Sequence, residues 1–168
     1  MDKHRLLVWE PLVLLRISRE LTSEEVLEKI KAFEKQFGVS FDEFEELFRK
    51  KKMGVSHARA YSEWAELVDS YKGYVEDGEL DYTAEEIKDF NIDQTALLTP
   101  KRIELLCQLV ALRVESINDL SQKVKRNVKN MYEDLKVLNT FGFVKLSRRK
   151  KRALVPETLV REITFIVR

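Results

Sequence analysis

A mainly α protein with a small β component (α+β) is what this sequence predicts: a helical N-terminal region joined to a C-terminal domain of short helices and strands. Three observations carry that expectation. Apolar residues recur at helical spacing between capping signals over most of the chain. Short alternating or continuous apolar runs stand near both ends, as strands require. The charge also divides, because residues 1–98 carry 14 Lys+Arg and 22 Asp+Glu, a balance of −8, whereas residues 99–168 carry 16 and 7, a balance of +9. An asymmetry of that size suggests that the second half meets a polyanion and the first does something else.

The opening "RLLVWEPLVLLRIS" reads as extended, broken by Pro11. A helix then starts at "TSEE", where Thr22 and Glu25 have capping-box spacing, and Val26, Ile30, Phe33 and Phe37 share its apolar face until Gly38. Ser40 and Glu43 repeat the device before Phe41, Phe44, Leu47 and Phe48, and "KKKMG" ends that helix. A third helix, over about 56–75, aligns Tyr61, Trp64, Val68, Tyr71 and Val75. The acidic stretch 76–98 carries little apolar periodicity; Thr83 and Glu86 are spaced to cap one short helical turn within it. It reads as a connector between a region 1–75 and a domain 99–168, and it lacks the glycine and the alternation of a calcium loop.

In the second half, Thr99-Pro100 is a helix start. Ile103, Leu106, Cys107 and Val110 are taken as its inward face, which makes Cys107 a small core residue. "VES" at 114–116 has room for one rung of strand, and Ser116 caps "INDLSQKV". After a tight turn, "NVKNMYEDLKVLNTFG" places Val128, Met131, Leu135 and Leu138 inward and stops at Gly142. "FVKL", "ALVP" and "EITFIVR" follow as strands.

Helix, short strand, helix, tight turn, helix, two-stranded hairpin is the order of a winged helix-turn-helix. The stretch "INDLSQKVKRNVKNMYEDLKVLNTFGFVKL" resembles the central part of MarR/ArsR-type winged-helix regulators. It is similar above all to archaeal and bacterial predicted regulators with "R-(N/D)-V-K-N-V" opening the recognition helix. The resemblance covers about residues 98–158. It implies a sequence-specific, DNA-binding transcriptional regulator, and since such proteins are often encoded as antitoxins, a toxin-antitoxin pair is a further implication.

On that reading the run Arg148, Arg149, Lys150, Lys151, Arg152 lies in the wing loop, placed for phosphate, in preference to a solvated loop or an address tag. On the recognition helix, Arg126, Asn127, Lys129, Asn130 and Glu133 point outward near its start. Asn130 is placed for adenine and Arg126 or Lys129 for guanine. Asn127 caps the helix, either meeting a phosphate as well or serving as cap alone; Lys123 and Lys125 hold the backbone, and Tyr132 belongs with the core. In the first half, Tyr61, Trp64, Val68 and Tyr71 offer surplus apolar surface for a partner, and a basic, toxin-like protein suits the −8 balance. A homodimer is expected, since winged-helix dimers read two half-sites.

Nothing in the chain points to an enzyme. His4 and His57 are far apart, no triad or metal-ligand spacing occurs, and the five glycines form no phosphate loop. No cofactor or metal is expected. The single cysteine excludes an internal disulfide, and residues 6–17 are too short to span a bilayer and lack a cleavage site, so a cytoplasmic location is expected. The alternative is a factor directed to RNA, or tethered to a larger machine, that uses the winged helix as a shape reader.

Overall fold

The computed structural model describes residues 12–50, 54, 57–149 and 153–167. Within them helices and strands mix in the order β1 (Val13–Glu20), α1 (Ser23–Phe37), α2 (Phe41–Arg49), α3 (Ala58–Asp77), β2 (Thr83–Phe90), α4 (Ile92–Ala96), α5 (Pro100–Ala111), α6 (Ile117–Val124), α7 (Val128–Thr140), β3 (Val144–Arg149), β4 (Ala153–Thr158), β5 (Val160–Ile166). Two sheets form: β2-β1-β5, in which β1 and β5 run antiparallel, and the antiparallel hairpin β3-β4.

The chain divides into two compact units that do not follow its linear halves. One takes β1, up to Arg19, together with everything from Glu85 onward; the other is Glu20–Ala84. The boundaries 1–75, 76–98 and 99–168 are thereby corrected. The stretch 76–98 is no free connector, because it supplies β2. The reason is visible at the junction, where Leu21 N donates to Tyr82 O at 3.0 Å. The chain runs out along β1, builds Glu20–Ala84, and returns along the neighbouring strand. The acidic unit is thus an insertion between two adjacent strands, and the charge division follows it: residues 20–84 hold 9 basic and 16 acidic side chains (−7), the remainder 21 and 13 (+8).

In the inserted unit, Thr22 and Ser40 both close the expected capping boxes, and Gly38 ends α1 at φ 69°. Its core is Leu21, Val26, Ile30 and Leu67, with Phe33, Val68, Tyr71, Leu80 and Tyr82 packed against it. Trp64 and Phe44 are fully buried. Phe33, Phe37, Phe41 and Phe44 all lie within 6 Å of the Trp64 ring centre to centre, distances at which offset and tilted aromatic pairs are stable. The expected inward face of α3 holds except at its end, where Val75 is exposed.

The larger unit packs α5, α6, α7 and the strands around Leu15, Ile17, Leu105, Leu109, Leu120, Met131, Leu135, Leu138 and Phe143. Thr99 caps α5 with Pro100 following, and Ser116 caps α6 as expected. Three local expectations fail here. Residues 83–86 form the start of a strand, not a helical turn; "VES" forms no rung; and the core face of α5 is Leu105, Leu106 and Leu109, leaving Ile103, Val110 and Cys107 exposed. Pro11 lies outside the described residues. No helix among those described is long and apolar enough to cross a membrane.

Candidate nucleic-acid interface

The turn between α6 and α7 is three residues long and is closed by its own hydrogen bonds. Arg126 N donates to Ser121 O at 3.0 Å, and the Ser121 hydroxyl donates back to the Arg126 carbonyl. Such a tight reversal requires a left-handed residue, and Lys125 supplies it at φ 54°, ψ 46°, the only non-glycine with positive φ among those described. Asn127 then caps α7: its Oδ1 accepts from Lys129 N at 2.9 Å and from Asn130 N at 3.2 Å. The cap fixes which residues lead the helix. With Met131, Leu135 and Leu138 buried, Lys129, Asn130 and Glu133 stand exposed on the first two turns.

The structure separates the candidate side chains into those presented to solvent and those held by neighbours. Lys125, Lys129, Asn130, Glu133 and Arg148 are exposed. Lys123 is held, its Nζ donating to Arg113 O at 2.7 Å and pairing with Asp119 at 2.9 Å. That ammonium, with a further hydrogen bond from Glu115 N, keeps the Asp119 carboxyl below its usual range. Arg126 is held as well. Asp134, one face of α7 away, binds Arg126 and also Arg102 of α5, whose Nε lies 2.9 Å from it. Arg102 in addition donates to Leu97 O at 2.7 Å. A guanidinium held in this clamp ties α5, the turn and α7 together.

The β3-β4 hairpin pairs Val144 with Thr158 at its base and Arg149 with Ala153 at its tip. Phe143 and Val144 are buried under it, and Gly142 makes the turn into β3 at φ 74°. The Arg149 side chain and Lys150, Lys151 and Arg152 lie outside the described residues; Arg148, exposed beside them, marks where the basic run begins.

Two residues of this face depart from the core placement that spacing predicts. Val128 and Tyr132 are 42% and 37% exposed, and with Ser116, Ile117, Asn118, Ala153 and Leu154 they line an open notch of about 360 Å³ between α7 and the hairpin. Lys136 Nζ stands 5.5 Å over the Tyr132 ring and 3.7 Å from Glu133. The signal for Tyr132 was its place one residue off the apolar stripe, on the flank shared with Val128.

The aromatic stripe of the other unit is corrected in the opposite sense. Trp64 is fully buried, Val68 and Tyr71 pack against the core, and Tyr61 stacks on Phe48 at 4.4 Å while its hydroxyl donates to Glu45 at 3.0 Å. That bond, with some burial, raises the Tyr61 pKa. Trp64 is therefore core, while Tyr61, Val68 and Tyr71 are half-buried and Val75 is exposed. Among the described residues no cluster of His, Cys, Asp and Glu is arranged to hold a metal ion.

Comparison with known proteins touches only part of this unit. The model of a family described as HVO_A0114 matches residues 97–164, from the turn before α5 into β5. No curated protein and no solved structure matches the chain.

Proposed function

We propose that the larger unit is a winged helix-turn-helix module that binds duplex DNA with sequence preference and serves a transcriptional regulator. One observation carries this reading: a capped helix, α7, exposes Lys129, Asn130 and Glu133 at its start beside a hairpin whose tip carries Arg148 and the basic run after it. An exposed polar helix start suits base edges in the major groove, and a cationic hairpin tip suits the flanking phosphates. The +8 balance of this unit supplies attraction, and the −7 of the inserted unit is repelled by the same phosphates.

The test is binding of the full chain to DNA from a randomised duplex pool at several salt concentrations. If about six phosphates are neutralised, log K against log salt has a slope near −5; a slope flatter than about −2 sinks the reading. Replacing Arg148 through Arg152 by Ser weakens all duplexes about equally and flattens the slope. Asn130→Ala costs about 1–3 kcal/mol on the preferred site and little elsewhere. Duplex RNA competing as well as the selected DNA overturns sequence reading in favour of shape reading.

A further inference from the structure

On the side of the larger unit away from β2, α5 and β5 leave a second apolar surface that the DNA reading does not use. Ile103, Cys107 and Val110 follow one another along α5 at spacings of four and three, all exposed, with Ala111 beside them. Facing them across a groove of about 240 Å³ are Thr158, Val160 and Ile163. Further along β5, Phe165 pairs with buried Leu15 yet is 51% exposed. β5 is the edge of its sheet, and from Ile163 to Ile166 it carries no charge, no proline and no covering element among the described residues. Edge strands left in that state pair with another strand, and a helix ridge spaced four and three is what a second helix packs against.

We propose that a second copy of this chain docks here, pairing β5 with β5 about a two-fold axis and bringing the two α5 ridges together over the joined sheet. Charge selects this occupant. The larger unit is +8 overall, yet among the described residues the groove between α5 and β5 is lined by just two charges of opposite sign, Arg161 and Glu162. A nucleic acid finds no cationic patch on it, and two copies of a basic unit meet here without repulsion. Antiparallel self-pairing with the axis at Ile163 sets Arg161 opposite Phe165 of the second copy and Glu162 opposite its Thr164. No like charges then face each other, and every residue keeps its side of the sheet, as an isologous interface requires. The proposal stands apart from the DNA reading and is tested without nucleic acid.

Light scattering on the full chain at about 50 µM is expected to give twice the 19.8 kDa of one chain, falling on dilution. Ile103→Arg with Val110→Arg, both at exposed positions, is expected to weaken the dimer at least about 100-fold with the far-ultraviolet dichroism unchanged. In the unaltered chain, a bismaleimide reaching about 10 Å, near the spacing of packed helices, joins two copies through Cys107, the one thiol present. A monomer at every concentration overturns the proposal. So does a dimer that the folded double variant retains, or one that Cys107 fails to cross-link. If the double variant loses its fold, the cross-link on the unaltered chain decides.

Discussion

Asp134 is the residue on which the geometry of the α6–α7 turn depends. It accepts from Arg102 and Arg126 while largely shielded from solvent, and removing it leaves two guanidinium groups facing each other without an anion between them. Asp134→Ala is expected to cost about 2–3 kcal/mol, read as a lower urea midpoint, and an unchanged midpoint excludes the clamp. Lys125 poses the opposite case. Holding a side chain in the left-handed region costs roughly 1–2 kcal/mol, and glycine adopts it freely but gives up about 0.4–1 kcal/mol through the unfolded chain. Lys125→Gly is therefore expected to be neutral or up to about 1 kcal/mol more stable, while losing a cation beside the candidate interface. Under the DNA proposal Lys125→Gly and Lys125→Ala flatten the salt slope alike, by about one, although only the first relieves the left-handed strain, which the alanine Cβ retains. A glycine variant less stable than the alanine variant shows that this turn does not strain its lysine.

Among the elements, what the sequence made legible and what it concealed differ by a physical rule. Capped helices were readable because their signals are local: Thr22 with Glu25, Ser40 with Glu43, Thr99 with Pro100, and Asn127 each stand beside the helix they start. β2 was concealed because its half-buried row is Ala84, Glu86 and Lys88, with Ile87 exposed. A hydrophobic pattern cannot announce a strand that turns charges inward. Those charges are accommodated by a residue far off in sequence: Arg19, 4% exposed on β1, reaches Glu86 at 3.3 Å, and Lys88 pairs with it at 3.0 Å. The faces of α5 were unreadable for a related reason, since Leu105, Leu106 and Leu109 compete with Ile103, Cys107 and Val110, and only the tertiary fold chooses. The same accounts for the candidate site: exposed Lys129, Asn130 and Glu133 follow from helix periodicity, whereas the partners of Arg126 and Lys123 do not. Glu86 yields a test of the β1–β2 arrangement. Burial alone raises its pKa, but Lys88 and Arg19 outweigh that and hold it below the ordinary 4.5. A carboxylate depressed on folding adds stability above its unfolded value, and that contribution is lost as pH falls through the folded value. Glu86→Gln is thus expected to be less stable than the unaltered chain at pH 7, on the order of 2 kcal/mol, with the difference shrinking steadily below about pH 4.5. Urea unfolding of both proteins across that range reads it, and a difference independent of pH removes the ion pair from the account.

For the whole molecule, the decisive fact is that a compact acidic unit is threaded between two neighbouring strands of a basic one. Leu15 and Ile17 of β1 are fully buried in the same core as Leu105 and Leu135, so the larger unit is complete only when the chain before the insertion is present. A chain shortened to residues 99–168 keeps the basic charge but loses β1 and β2, leaving β5 without its neighbour and the core open on one side. Replacing residues 22–81 by Asn-Gly does the reverse. The bond from Leu21 N to Tyr82 O already has the spacing that closes a two-residue hairpin turn, and Leu21, buried only in the inserted unit, is changed to Thr. The excised chain is expected to melt in one cooperative transition with dispersed amide resonances, and the 99–168 chain to show neither. The excised chain also keeps every exposed residue of the candidate interface while shedding most of the acidic charge, so under the DNA proposal it binds at least as tightly as the full chain at low salt. Equal cooperativity in the two shortened chains shows that β1 is dispensable to the core. An excised chain that folds but no longer binds assigns recognition to the inserted unit and moves the interface away from α7.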